Sequence, residues 1–275
     1  MKLSVSIFST VTALAFIGNA NADTSFLSTC ASQLVDSLTN LLQTGKASSN
    51  FGQCAQDNSG NGYAAGIINF TTANGDAWQV VKLYMQSQGY TGEFDDYKDK
   101  IDTYASKGSG SSTNGLSGFC SAWEKAANVS MSAFLGCQDE VLSSVYYTPA
   151  STQATSLNLK TDVGKAVLVD TAIVDGPGSD SSSLGGLVLA TLNSINGTIT
   201  GDSGNNILIY GTYPVDEIEW IKLFLKERLK KNPADKANVA SYEYIISNNS
   251  YYWDDDSISV LNANGGKKTL TCLTS

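Results

Sequence analysis

The sequence of 275 residues contains no histidine. Catalysis by a Ser-His-Asp or Cys-His arrangement is therefore excluded, and so is a metal centre with histidine ligands. Proton transfer would have to rest mainly on aspartate and glutamate. Cys-x-x-Cys pairs, which are typical of zinc and thiol-redox sites, are also missing. The sequence therefore predicts no metal and no cofactor.

Basic residues are few: 17 lysines and arginines stand against 26 aspartates and glutamates, which gives a net charge of −9. This balance argues against a nucleic-acid partner, which would require a basic surface. A cationic polymer would be attracted to an acidic protein. Acidity also serves solubility in many secreted proteins, and on charge alone that simpler interpretation is favoured.

Long apolar runs are scarce, and the one at the start of the chain is short. Lys2 precedes an apolar segment at residues 11–17, and small residues follow at 20–22. This is the pattern of a secretory signal over residues 1–22, too short to span a membrane. Its removal would take one lysine and change the net charge from −9 to −10. We expect a soluble, secreted and monomeric protein of one domain, residues 23–275.

The five cysteines follow the predicted signal and are interpreted as structural. Cys120 and Cys137 lie on neighbouring helical segments and are expected to form a disulfide. A Cys30–Cys54 bond would hold the first helix to the loop that follows it, leaving Cys272 unpaired. A Cys30–Cys272 bond is the alternative.

The stretch from residue 51 to residue 76 organises the rest of the chain. A polar, glycine-rich loop at 57–62 leads into an apolar run at 63–70, and a second turn precedes Asp76, where a helix should begin. This order predicts a small β element near residues 63–72 that holds polar loops on one rim.

Helical patterns dominate elsewhere, so the predicted fold class is mainly α. Apolar residues recur at helical spacing over 26–43, and a strongly apolar helix is expected near 162–174, at the centre of the fold. Residues 107–118 are rich in glycine and serine and are interpreted as a flexible linker near a boundary between two lobes.

Several segments together resemble one enzyme family. The pattern GYxxGIIxF at residues 62–70 is followed in order by FxxxWxxAA at 119–127, YxxPA at 146–150, GPGxDxxSxGG at 176–186 and FLxxR at 224–228. In this order they resemble the chitosanases of glycoside hydrolase family 46. The resemblance implies a lysozyme-like fold, with two mostly helical lobes around a cleft and a long central helix. It implies chitosan, a β-1,4 glucosamine polymer, as the ligand.

The same resemblance raises a difficulty about catalysis. An inverting glycosidase needs one carboxylic acid to protonate the leaving oxygen and one carboxylate to activate water. The family places the acid late in the first helix and the base in the loop, and these positions are predicted to fall on Thr39 and Ser59. Neither side chain exchanges a proton at ordinary pH. The threonine that positions water in the family falls on Ala64.

Asp36 and Asp57 are the nearest substitutes for the missing carboxyl groups. Asp36 lies one helical turn before Thr39, and Asp57 lies two residues before Ser59. Each also has a simpler interpretation, Asp36 as a solvated helix charge and Asp57 as a turn residue.

Ligand binding is predicted at Asp76, Asn61 and Tyr63. Asp76 matches a substrate-binding aspartate of the family and could accept hydrogen bonds from a glucosamine ammonium group. It could equally be a helix cap, and Tyr63 could equally belong to the core. The resemblance also implies a buried structural ion pair between Asp170 and Arg228.

Two functions follow from these observations. The protein is a secreted chitosanase-type hydrolase that uses relocated carboxylates, or it binds a cationic glycan in the same cleft without turnover. The missing acid, base and water-positioning residues favour the second on mechanistic grounds, because function depends on the site and not on the fold. A secreted structural protein without a ligand is the third possibility.

Overall fold

A computed structural model describes residues 26–195, 199–203, 206–209, 215–253 and 255–272. The predicted signal segment, residues 1–22, lies outside this part of the chain. None of the helices in the described ranges is long and apolar enough to cross a membrane.

The first helix, α1 (Thr29–Thr44), has a clear start and end. The Ser28 hydroxyl accepts the Ala31 N–H at 3.1 Å, which satisfies one of the free amides of the first turn. Gly45 ends the helix in the left-handed conformation, with φ 76°, and donates its N–H to the Leu41 carbonyl. The apolar face is buried, so the helix packs against the centre of the molecule.

A small antiparallel sheet follows α1 and confirms the β element predicted near residues 63–72. Its strands are β1 (Cys54–Gln56), β2 (Tyr63–Ala65) and β3 (Phe70–Thr71), with β2 in the middle. Gly66 ends β2 with φ 77°, and a Cβ there would lie 2.4 Å from Gln138 Oε1. The second glycine of the GYxxG pattern is therefore required by the backbone and by a close neighbour.

One lobe consists of this sheet and four helices, α2 (Asp76–Ser87), α3 (Lys98–Lys107), α4 (Phe119–Val129) and α5 (Met131–Val141), with a 3₁₀ turn at Asp95–Tyr97. Buried aromatic rings fill its interior with centroids about 5–6.5 Å apart, and they include Trp78, Phe94, Phe119, Trp123 and Phe134. Burial of such large rings is the main stabilising contribution to this lobe.

The segment predicted to be a flexible linker between the lobes lies instead inside this lobe. Helices α2 and α5 pack together across it, so residues 108–118 do not separate two units. Ser109 donates its N–H to the Thr72 carbonyl at 2.7 Å, and Lys100 Nζ donates to the Gly115 carbonyl at 2.6 Å. These bonds tie the segment to the turn after β3 and to α3.

The other lobe contains α1 together with α6 (Thr148–Ser156), α7 (Asp162–Asp175), α8 (Leu184–Ser194), α9 (Glu217–Lys231) and α10 (Lys236–Ser247). Three short strands, β4 (Ile199–Ser203), β5 (Asn206–Ile209) and β6 (Val215–Asp216), form a sheet before α9, and a 3₁₀ turn, Pro233–Asp235, follows that helix. The hairpin of β7 (Ser257–Leu261) and β8 (Lys267–Thr271) packs on α1 and α10.

Residues 131–156 form a continuous helical rod that connects the lobes. Its middle, Leu142–Tyr147, is a π-helical turn between α5 and α6. Such wide turns are rare and occur often at functional sites. Tyr146 and Tyr147 both lie in this turn and donate hydrogen bonds to Asp76 and Asp36 respectively.

The central helix predicted near 162–174 is α7, and most of its length is buried. Asp170 in its last turns is fully buried and pairs with Arg228 of α9, with Nη1 and Oδ2 2.6 Å apart. Asp175 and Asp235 also contact Arg228, each at 2.8 Å from Nε. The predicted pair is thus one part of a buried cluster in which one guanidinium holds three helical segments together.

The structure corrects the predicted disulfides. The bonds are Cys30–Cys272 and Cys54–Cys120, so the predicted Cys120–Cys137 and Cys30–Cys54 bonds are wrong and the alternative partner of Cys30 is present. Cys137 is a free thiol. Cys120 lies near the start of α4 beside β1, which carries Cys54, and so the packing of sheet on helix selects the partner.

Candidate functional site

An open cleft of about 780 Å³ lies between the two lobes. The small sheet and its loops form one wall, and the ends of α1 and α7 form the other. Side-chain amides are the most frequent groups along it: Gln43, Gln53, Gln56, Asn61, Asn69 and Asn74. The cleft therefore offers mainly neutral hydrogen-bonding groups, with Asp57 and Asp76 as the carboxylates among its described lining residues.

Asp57 lies in the loop between β1 and β2 and holds that loop in shape. Its carboxylate accepts the Ser59 N–H at 3.0 Å and the Asn61 N–H at 3.1 Å. The hydrogen bond from the Ser59 amide lowers the pKa of Asp57 below its usual value, so Asp57 carries a negative charge in the cleft. This is the behaviour of a turn residue, but the carboxylate remains partly exposed.

Asp76 is the first residue of α2 and is only 5% exposed. One oxygen accepts the backbone N–H groups of Thr71 and Ala77, and the other accepts the Tyr146 hydroxyl and the Asn74 side-chain amide. Burial raises the pKa of Asp76 to about 6, although these hydrogen bonds oppose the shift. The carboxylate lines the cleft but already has four donors within the protein, so it fixes the shape of the cleft wall.

The sequence can now be placed among known proteins. The profile of glycosyl hydrolase family 46 matches residues 34–244, which is most of the chain. The chain belongs to family 46.

Family 46 relatives agree with this placement in sequence. The chitosanase of Bacillus subtilis strain 168 is 31% identical over 202 residues, which is 73% of this chain and 67% of that protein. The chitosanase of Streptomyces sp. strain N174 is 30% identical over 130 residues, 46% of this chain and 44% of that one.

Solved family 46 structures match the fold. Native chitosanase from Bacillus subtilis MY002 has a TM-score of 0.75 at 28% identity, covering 89% of this chain and all of that one. A chitosanase from Gynuella sunshinyii, in complex with chitotetraose, has the same TM-score at 22% identity. The match covers 90% of this chain and the whole of the Gynuella chain. The lysozyme-like, mainly helical fold predicted from the sequence is confirmed.

Thr39, predicted to occupy the acid position of family 46, does not reach the cleft. It is fully buried, and its hydroxyl donates to Asp170 Oδ1 at 3.1 Å. Gln43 lies one helical turn later on the same face of α1, and its exposed side chain lines the cleft. No sequence pattern indicated Gln43 as a site residue. Its place one residue before the end of α1, close to Gly45, was the available signal.

The loop residues predicted from the sequence do reach the cleft. Ser59, Asn61 and Ala64 all line it, alongside Asp57. Tyr63 does not: its ring stacks on Phe119 with centroids 5.6 Å apart, so Tyr63 belongs to the aromatic interior. Alternation along β2 explains the difference, because neighbouring side chains of a strand point to opposite faces.

Asp36 is also outside the cleft. It lies two turns before Gln43 on nearly the same face of α1, where its carboxylate accepts the Tyr147 hydroxyl at 2.8 Å and burial raises its pKa to about 7. The structure therefore does not bring the two proposed substitutes together, since Asp57 faces the cleft and Asp36 does not. Tyr146, which also lines the cleft, was not predicted as a site residue, although it lies within the YxxPA pattern.

Proposed function

We propose that this family 46 protein binds a glucosamine polymer of the chitosan type in its cleft and hydrolyses it very slowly or not at all. The observation that carries the proposal is the pair of side chains on the two cleft walls. Gln43 lies on the α1 wall, and Ser59 lies on the opposite wall in the loop between β1 and β2. At these two positions a family 46 hydrolase requires a carboxylic acid and a carboxylate.

Gln43, and not Thr39, is assigned here to the acid position. It is the one described residue of α1 that lines the cleft, and the family acid lies late in this helix. A glutamine amide does not release a proton at ordinary pH, so it cannot protonate a leaving oxygen.

The remaining cleft carboxylates are poor substitutes for the missing pair. Asp76 accepts four hydrogen bonds and has no oxygen left for a water molecule. Asp57 could act as a base, but no second carboxyl group faces it from the α1 wall among the described residues. Catalysis that needs two groups is therefore not supported.

A glycan ligand is supported by the relatives. A variant of the Bacillus subtilis MY002 chitosanase, 28% identical to this chain, is known in complex with 6 GlcN. We assign the glycan to the open cleft between the lobes, and the signal pattern at residues 1–22 supports secretion. We accordingly assign the protein to the extracellular space, as a monomer that meets an insoluble polymer.

Two measurements on purified protein test the proposal. Co-sedimentation with chitosan reports binding, and reducing-end release reports hydrolysis. We expect binding without appreciable release, and we expect Gln43→Glu with Ser59→Asp to restore release. General acid and base groups each contribute roughly a hundred- to ten-thousand-fold, and they act as a unit, so each single change should restore much less.

The matched control is Thr39→Glu with Ser59→Asp, which places the same two carboxyl groups but buries one beside Asp170. It should restore nothing and should destabilise the fold. Release by the unmodified protein at an ordinary enzymatic rate would contradict the proposal, and loss of that release in Asp57→Asn would then identify Asp57 as the base.

A further inference from the structure

Three cleft amides form a chain of hydrogen bonds with a defined direction. Gln53 Nε2 donates to the Gly66 carbonyl at 3.1 Å and to Asn69 Oδ1 at 3.1 Å. Asn69 Nδ2 donates in turn to Gln43 Oε1 at 3.5 Å. The chain thus crosses the cleft from the small sheet to the end of α1.

The direction of this chain follows from its anchor. A backbone carbonyl can only accept, so the group of Gln53 that faces Gly66 must be its NH₂ group. Asn69 must then present its oxygen to Gln53 and its NH₂ group to Gln43. As a result Gln43 accepts the Asn69 hydrogen bond through Oε1. Its own Nε2 is the last group of this series of hydrogen-bonded amides and points away from Asn69.

The free end is a donor without a partner in the described residues. Gln43 is exposed in the cleft, and no hydrogen bond of its Nε2 occurs there. A ligand acceptor can therefore pair with this NH₂ group, while Oε1 keeps one lone pair beside the bond from Asn69. Turning the amide over would place two oxygens or two NH₂ groups against each other along the chain, which is unfavourable.

We propose that the subsite at Gln43 receives an N-acetylated sugar unit, with the acetamido carbonyl oxygen accepting from Gln43 Nε2. This inference rests on the proposed function, since it concerns the ligand of the same cleft. It assigns to the protein a preference for a neutral or partly acetylated glucosamine polymer over a fully deacetylated one.

The two sugars differ in what they offer to a directed amide. An acetamido group has a carbonyl acceptor and an N–H donor, whereas a glucosamine ammonium group has donors only. An ammonium group beside Gln43 Nε2 would place donor against donor and lose hydration without compensation. The cleft offers it little elsewhere, because Asp76 is already saturated and Asp57 is the only other carboxylate among the described lining residues.

The inference is tested by calorimetric titration with two soluble hexamers, one of N-acetylglucosamine and one of glucosamine. Both titrations are run at about pH 6 and ~0.15 M salt. We expect the acetylated hexamer to bind roughly five- to tenfold more tightly, the effect of one well-placed hydrogen bond and one avoided mismatch. Its affinity should hardly change with salt, since it is uncharged.

The substitution Asn69→Asp tests directly in which direction the hydrogen bonds run from Gln53 through Asn69 to Gln43. The change replaces a donor by an acceptor at residue 69, so Gln43 must turn its NH₂ group inward and present Oε1 to the ligand. Aspartate tolerates the left-handed backbone at this position, where φ is 58°. The preference for the acetylated hexamer should disappear. Gln43→Glu should reverse it.

Gln86→Glu is the control for added charge, because Gln86 is exposed on α2 and does not line the cleft. It should leave the affinity for the acetylated hexamer within about twofold of the original. Equal affinity for both hexamers, or a preference for glucosamine, overturns the inference and leaves the proposed function standing. Failure to bind either hexamer or chitosan overturns the proposed function as well.

Discussion

At the scale of single residues, Asp76 shows how a position that matches a binding residue can be structural at the same time. Its side chain is buried and joins the turn after β3, the start of α2 and the π turn through Tyr146. Asp57 makes a similar set of backbone bonds but is only partly buried. Burial therefore decides how much each carboxylate contributes to stability.

Asp76→Asn is expected to destabilise the protein by about 1–3 kcal/mol, because an amide cannot accept from all four donors and leaves buried N–H or O–H groups unpaired. Urea unfolding measures the change. Asp57→Asn, in an exposed turn with similar bonds, should cost well under half as much. An equal effect of both substitutions would show that burial of Asp76 is not the cause.

At the scale of elements, the disulfides hold the ends of the fold. Cys30–Cys272 joins the start of α1 to the residue after β8, and Cys54–Cys120 joins β1 to α4 beside the cleft. The sequence separations are 242 and 66 residues. Bonds that close such long loops restrict the unfolded chain strongly.

Peptide mapping without reduction should find these two bonds and one alkylated thiol, Cys137. Replacing Cys54 and Cys120 together by serine should lower the free energy of unfolding by about 2–5 kcal/mol. Cys137→Ser is the matched control and should cost about 1 kcal/mol or less, since this half-buried thiol closes no loop. A mapped Cys120–Cys137 peptide would contradict the structure.

At the scale of the whole molecule, several buried carboxyl groups make stability depend on pH. Burial raises the pKa of Asp36 to about 7 and, against the opposing effect of Arg228, raises that of Asp175 to about 8, from an unfolded value near 3.8. Between these values the folded protein binds more protons than the unfolded chain. Stability must then fall as pH rises through that window.

We expect the unfolding temperature to drop by roughly 4–8 °C between about pH 5 and pH 8, as seen by calorimetry. Asp36→Asn removes one of the titrating groups and should flatten the profile between about pH 4 and pH 7. Glu124→Gln, at an exposed position of α4, removes the same charge and should leave the slope unchanged. A profile that rises over this range would contradict the assignment.

Local patterns in the sequence were enough for the helices, the small sheet and the family. Apolar spacing marks α1 and α7, and the two glycines of the GYxxG pattern mark the two ends of β2, because these features depend on neighbours within a few residues. The absence of histidine was also evident from the sequence, since it requires no geometry.

Only the tertiary structure decided which side chains meet. The packing determines the disulfide partners of Cys30 and Cys120. It also places the Thr39 hydroxyl against Asp170, whereas Gln43, one turn later, lines the cleft. Each outcome depends on how a helix is rotated and placed against segments distant in the chain. Thr39 and Gln43 lie on the same face of α1 and differ in their distance from its end, and sequence spacing alone does not specify where along a helix the buried part gives way to the cleft.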